Sequence, residues 1–350
     1  MQQTVAGFAM WSAWQPERNL HFNSFFIERP DGNLAIDPLP LTEADAAEIE
    51  RRGGLGWIVI TNRDHERGAR ALAERFGAKI AASDGDAPLL SGPVDRQLHD
   101  GEAFAGATVI ALDGLKSPGE IALHFREQRA IVVGDALWGD PAGSLRLMPD
   151  QKLADPARAA LSLRRLGARH PLHLLVGDGA CIFGGAYEAL WACLEARTDV
   201  YVNRVNIDEL EWLSDPGHGV YEAADGEVDG MIGGAKVGCR VTRIAPGKAY
   251  CPLHWHAAEE ELFLVLSGTP SLHTLRGVWS LRKGDFIAFP TRSSGAHKIV
   301  NDGGETCEIV LIANTSPIEI CSYPDSRKVL FDPAGLMLRD HPLLDYFDGE

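Results

Sequence analysis

Two histidines one residue apart, His254 and His256, are the first residues in this chain whose types and spacing could do chemistry. In a strand alternate side chains share a face, so both imidazoles would point one way and Trp255 the other. Glu259, Glu260 and Glu261 follow, then the apolar run 262–266 closed by Ser267 and Gly268. Further on, Gly284-Asp285 leads to Pro290, and Gly295-Ala296-His297 has Asn301 four positions later. Three imidazoles and one carboxylate form a ligand set for a divalent ion, and spacing does not choose among Fe(II), Mn(II), Ni(II), Co(II) and Zn(II). Four protein ligands leave two positions of an octahedral ion open to substrate, water or oxygen, so such a metal could act as a Lewis acid or an oxygen activator. No residue is singled out as a catalytic base.

This pattern resembles the cupin superfamily, whose motifs read G-x5-H-x-H-x3,4-E-x6-G and G-x5-P-x-G-x2-H-x3-N. Counting seven back from Gly268 lands on Glu261, five after His256, and 284–290 and 297–301 also keep the family spacing. Two departures are present: Gly247 lies one residue too far from His254, and the loop 290–297 is two residues longer than the pattern. The resemblance covers about residues 203–330. It implies a double-stranded β-helix barrel with one divalent metal held by His254, His256, Glu261 and His297, Glu260 replacing Glu261 if the strand is shifted. Phe263 and Val265 share the face of Glu261, which suggests a partly apolar lining and a small organic substrate. Glu259 and Glu260 otherwise read as solvated charges. Pro216-Gly217-His218-Gly219 looks like a hydrolase metal motif but falls inside the β-rich region, and reads as a turn.

Earlier in the chain, Leu34-Ala35-Ile36-Asp37-Pro38, then 58–61 before Asp64-His65, then Val133-Gly134-Asp135 and Gly177-Asp178-Gly179 resemble, in their order, the metallo-β-lactamase fold over about residues 5–197. A working member carries T-H-x-H-x-D-H after the strand, binding two metals. Here the text is Thr61-Asn62-Arg63-Asp64-His65-Glu66-Arg67-Gly68, without the H-x-H half, and the histidine expected near Ser117-Pro118-Gly119 is absent. The resemblance leaves Asp64, His65, Asp135 and Asp178 as four groups that could hold one metal of oxygen preference. Otherwise they are ordinary polar residues of an inactivated fold, with Asp64 capping a helix that starts near Glu66. Hydrolysis by the two-metal route is not expected.

The elements that must position these residues follow from periodicity. Up to about residue 197, apolar strands (22–28, 34–36, 57–61, 79–83, 108–112, 120–125, 130–134, 172–176) alternate with helices (44–52, 66–76, within 156–166, 185–197), an α/β order. Beyond about residue 198, short strands between glycine and proline turns take over, an all-β signature. The expected fold class is therefore α/β plus all-β: a metallo-β-lactamase-like αββα sandwich over 1–198, a cupin barrel over 199–330 and an acidic tail over 331–350. At 350 residues, two domains each have room for a core, and Trp57, Trp138 and Trp191 read as part of one.

The net charge of −16 disfavours nucleic acid and anionic membrane surfaces as partners. No apolar run reaches the roughly 20 residues of a membrane span, and residues 1–14 lack a secretory pattern, so a cytoplasmic protein is expected. Six cysteines without C-x-x-C spacing read as reduced thiols. Leu262, Leu264 and Leu266 are expected to face outward, and cupin sheets pair through such faces, so a homodimer is expected. The function expected is a metal-binding cupin acting on a small organic molecule, as an oxygenase or isomerase, fused to a domain with little or no hydrolysis. The alternatives are a sensory or ligand-binding cupin without turnover, and a single-metal hydrolase in the N-terminal domain.

Overall fold

Strands whose two faces are both apolar need cover on both sides, and the first half of the chain supplies it in four layers. The structure, a computed structural model, describes all residues except 215, 216, 333, 341, 343, 346, 349 and 350. It divides into two compact units, Met1–Asn203 and Arg204–Glu350. In the first, Ile58 and Ile60 of strand Trp57–Ile60 pack on Ile49 and Leu72 of helices Glu43–Arg51 and Ala69–Phe76. Val59, on the opposite face, joins Phe25 and Ile36 against Val109, Leu123, Val132 and Leu175. From that second group of strands Ile131, Val133, Leu174 and Val176 turn outward onto Leu163, Leu190 and Trp191 of helices Pro156–Gly167 and Ala186–Glu195. Three apolar layers separated by a period of two therefore give a helix–sheet–sheet–helix sandwich.

The sheet is mixed. Leu34–Ile36, Trp57–Ile60, Lys79–Ser83 and Arg96–Leu98 run parallel, Leu20–Ile27 pairs antiparallel with both Phe8–Gln15 and Leu34–Ile36, and Ala130–Gly139 runs parallel to His173–Gly179. The two halves meet where Asp178 pairs with Phe22. The helix expected from Glu66 starts instead at Ala69. Residues Arg63–His65 form a short 3-10 turn capped by Asn62, whose side chain accepts from the Asp64 N–H at 2.9 Å, so Asp64 is not a cap. Trp138 and Trp191 are buried and Trp57 is half-buried on the central core.

In the second unit six antiparallel strands form one sheet in the order Trp212–Ser214, Ala224–Glu227, Val237–Ile244, Cys307–Asn314, Glu261–Ser267, Phe286–Phe289. Ser271–Thr274 lies between Gly277–Ser280 and Lys298–Val300 in a second sheet. Phe263, Val265, Phe289, Ile299, Ile309 and Leu311 fill the space between. A third sheet pairs Trp255–His256 with Glu319–Tyr323, and then Lys328–Asp332 with Leu336–Arg339. The stretch read as an acidic tail thus begins with two strands. Their side chains are mostly exposed, so hydrophobic alternation could not mark them. Of the leucines expected to face outward, Leu262 is exposed and Leu264 and Leu266 are half-buried. His218, in the turn read at 216–219, is exposed and bridges Tyr221, while Pro216 lies outside the described residues. All six cysteines are free thiols, and among the described residues no helix is long and apolar enough to cross a membrane.

His124, in strand Ile121–Phe125, is buried. Burial, with Arg169 and Arg126 nearby, holds its imidazole down to about 4. The unfolded chain takes up this proton near pH 6.5 and the folded chain does not until about 4, so the N-terminal unit loses stability as pH falls through that window, by up to about 3 kcal/mol. Denaturation of the wild type and His124→Gln between pH 7 and 4 should show a shallower loss in the variant.

Candidate functional site

Backbone pairing brings the cupin-type residues together before any side chain is placed. His254 and His297 bridge through two backbone hydrogen bonds of 3.1 and 2.9 Å, and Glu261 pairs with Phe289. Ligand atoms of His254, Glu261 and His297 all lie within 4.8 Å of one another. His297 Nε2 stands 3.2 Å and His256 Nε2 3.5 Å from Glu261 Oε2. Both Glu261 Oε2 and His297 Nε2 are buried without a hydrogen-bond partner among the described residues, as is His256 Nδ1.

The orientation of two rings is fixed from behind. His297 Nδ1 faces the Gly295 carbonyl at 2.9 Å and His254 Nδ1 faces the Pro252 carbonyl at 3.0 Å, with Cys251 Sγ at 3.4 Å. A carbonyl only accepts, so Nδ1 carries the proton in each ring and Nε2 presents its lone pair inward. Burial, then the neighbouring imidazole, lowers His297 to about 3 and His254 to about 4, and burial also lowers His256. Burial raises Glu261 to about 7 against the pull of Arg240. Neutral imidazoles beside a carboxylate with nothing to donate to it are the donor chemistry of a divalent-metal site. Phe289 stacks on His297 at 3.7 Å and Phe263 meets its edge, which gives the apolar wall on that side.

Sequence reasoning missed Glu319. Its carboxylate accepts from the N–H groups of Ala257 (2.6 Å), Ala258 (3.0 Å), Glu259 (2.8 Å) and Ile320 (2.8 Å), pinning the loop between His256 and Glu261. No local signal could reveal a residue 58 positions beyond Glu261. Cys321, opposite His256 in register, likewise joins the His254 and His256 ligand atoms within 4.8 Å. Glu259, read as a solvated charge, is half-buried and accepts from the Ser316 N–H at 2.8 Å, whereas Glu260 is exposed.

The second candidate site gathers at the carboxyl ends of the parallel strands of the N-terminal unit. Asp37 accepts from Thr61 N–H (2.8 Å) and Thr61 Oγ1 (2.6 Å), and lies 2.7 Å from His65 Nδ1. Gly177 makes room for that ring: a Cβ there would come within 2.7 Å of His65 Cε1. Asp86 accepts from Arg63 N–H, Ser117 Oγ and Gly119 N–H, so the segment without the expected histidine is tied down. Ligand atoms of His65, Asp135 and Asp178 lie within 4.8 Å of one another. Asp64 is not among them; it is exposed and paired with Lys116.

These three ligand atoms do not face open space. Arg67, whose side chain is buried, puts one guanidinium nitrogen 3.0 Å from His65 Nε2 and 3.1 Å from Asp178 Oδ1. Burial opposes charge on His65, but Asp37 and Asp135 raise its pKa to about 10. Its Nε2 lone pair is committed in either protonation state, to a proton in the imidazolium or to the Arg67 N–H in the neutral ring. The residues present therefore do not fit the metal centre that the fold implies. Arg67 and Glu120, which accepts from Asn62 and from the Asp135 N–H, were not foreseen as site residues.

Comparison with known proteins gives the same two parts. Residues 5–195 match the Metallo-beta-lactamase superfamily and residues 240–313 match the Cupin domain. A hydroxyacylglutathione hydrolase from Cereibacter sphaeroides is 32% identical over 170 residues, 46% of this chain, so the chain spans about three fifths (61%) of that relative's length. Among solved structures, a metallo-beta-lactamase from Pontibacter korlensis is 14% identical with a TM-score of 0.48, over 56% of this chain and 98% of that one. A sugar phosphate isomerase of the cupin superfamily from Silicibacter pomeroyi is 21% identical with a TM-score of 0.37, over 41% and 97%.

The Glu319 carboxylate generates a direct expectation for stability. Glu319→Ala leaves backbone donors of residues 257–259 without their acceptor and should cost the cupin unit about 3 kcal/mol, read as a lower denaturation midpoint.

Proposed function

Starting from a chain that belongs to the metallo-beta-lactamase superfamily and carries a cupin domain, we propose that its chemistry resides in the cupin, which binds one divalent metal and acts on a small organic molecule as an oxygenase or isomerase. His254, His256, Glu261 and His297 would hold the ion, which when bound supplies Lewis acidity or oxygen activation. The observation that carries this reading is the pair of buried atoms, Glu261 Oε2 and His297 Nε2, that face each other at 3.2 Å with no hydrogen-bond partner. Leaving such atoms unsatisfied is costly, and a cation between them removes the cost.

The remaining residues position and insulate. The Gly295 and Pro252 carbonyls hold two rings in one tautomer, and stacked Phe289 prevents His297 from turning away. Glu319 fixes the loop that joins two of the ligands. Phe263 and Phe289 keep one side of the site apolar, which suits a substrate that is small and partly apolar.

A second reading, single-metal hydrolysis in the N-terminal unit, has the similarity to hydroxyacylglutathione hydrolases in its favour. The guanidinium of Arg67 among the residual ligand atoms stands against it.

Elemental analysis of purified protein should find about one divalent ion per chain. His254→Ala/His256→Ala should abolish it while the circular dichroism of the folded chain persists. Full metal occupancy in that variant would refute the assignment, and turnover of thioesters that survives in it but disappears in Asp135→Ala would establish the second reading.

A further inference from the structure

The N-terminal cleft has a cation surplus that the cupin chemistry does not use. Its cavity, of about 270 Å³, is lined by Arg18, Arg67, Lys116 and Lys152, with Phe22 and Met148 among its apolar residues. Three carboxylates also reach it, and each already has a cation: Asp64 has Lys116, Asp178 has Arg67 at 3.1 Å, and Asp135 has His65 Nε2 at 3.5 Å. Arg18 shares Asp178 with Arg67, and Lys152 is left over. The Arg18 guanidinium is half exposed and pairs loosely with Asp178 Oδ2, at 3.6 Å, while the Lys152 ammonium has neither hydrogen bond nor ion pair among the described residues. In a chain of net charge −16, a pocket lined by four permanent cations, Arg18, Arg67, Lys116 and Lys152, against three carboxylates is a local inversion of sign.

A second observation points to a ligand with a donor as well as a charge. Asp178 is only 1% exposed and lines the cavity, yet its Oδ2 accepts no hydrogen bond among the described residues, the Arg18 guanidinium standing at 3.6 Å. A hydroxyl or amine of a bound molecule would satisfy it, whereas a carboxylate or phosphate at the other end would meet Arg18 and Lys152.

We propose that this cleft binds a small organic anion without a metal, the Arg67 guanidinium standing among the residual ligand atoms where a divalent ion would have to sit. The ligand class is a carboxylate or phosphate ester that also carries a hydroxyl or amine. Arg67 serves as a permanent positive charge on the cleft floor, and the rim pair Arg18 and Lys152 provides the recognition.

Titration calorimetry of the full chain with glycerate, glycerol 3-phosphate and glycerol tests this. At least one of the two anions should bind with millimolar affinity or better and neutral glycerol should not, the two anions distinguishing a carboxylate from a phosphate head group. Arg18→Ala/Lys152→Ala, changes at exposed side chains that keep the Arg67–Asp178 hydrogen bond, should weaken that binding at least about tenfold. His254→Ala/His256→Ala should leave it unchanged, and that variant should hold only trace metal. The proposal is overturned if neither anion binds, if glycerol binds equally, or if the rim variant binds as tightly as the wild type. It is also overturned if the cupin variant retains a stoichiometric divalent ion that is lost on adding Asp178→Ala.

Discussion

A buried atom that accepts hydrogen bonds or carries negative charge has to meet a donor or a cation, and both candidate sites in this chain are organised around a knot of such atoms. In the N-terminal unit the knot is His65, Asp135 and Asp178, and a guanidinium nitrogen of Arg67 stands at about 3 Å from two of them. In the cupin unit the knot is Glu261 with His254, His256 and His297, and among the described residues no donor reaches Glu261 Oε2 or His297 Nε2. The first cluster is filled at His65 Nε2 and Asp178 Oδ1 by the chain's own guanidinium, which leaves Asp178 Oδ2 unpartnered. The second has the donor chemistry that an ion from outside would complete.

Both arrangements depend on groups placed behind the reacting atoms. Asp37 and Gly177 set the ring of His65, one through a 2.7 Å contact and the other by leaving the space a Cβ would fill. In the cupin unit backbone carbonyls hold two Nδ1 atoms, and Glu319 collects four backbone N–H groups in and beside the loop between ligands. Such outer groups convert a set of residue types into a geometry, because they remove the rotamers and tautomers in which the ligand atoms would diverge.

Much of this was legible in the sequence wherever the signal is local. The period of two in Ile58-Val59-Ile60 and Ile131-Val132-Val133 directs alternate residues to different layers. The spacing of His254, His256, Glu261 and His297 likewise picks out side chains that the fold brings near one another, His254, Glu261 and His297 with ligand atoms within 4.8 Å. What could not be read depends on register between distant segments: Cys321 arrives opposite His256, with Glu319 two residues before it, only because their strand pairs there, and the strands Lys328–Asp332 and Leu336–Arg339 have no apolar alternation. Arg67 was visible as a letter next to the eroded motif. Its role needed the structure, because a side chain that turns into a cleft looks the same in sequence as one that turns out to solvent.

The identity of the cation decides what each cluster can do. A divalent ion with open coordination positions polarises a bound molecule and lowers the pKa of bound water. A guanidinium offers charge and directed N–H donors in a fixed plane but no coordination position, and it stays protonated above pH 12. An arginine at the floor of the N-terminal cleft therefore favours holding an anion over activating water against it. The metallo-beta-lactamase fold can persist under that exchange because Asp37 accepts from Thr61, Asp86 from Ser117 and Gly119, and Glu120 Oε1 from the Asp135 N–H. The cupin cluster differs in that Glu261 Oε2 and His297 Nε2 meet no donor among the described residues, the arrangement that a divalent ion would complete.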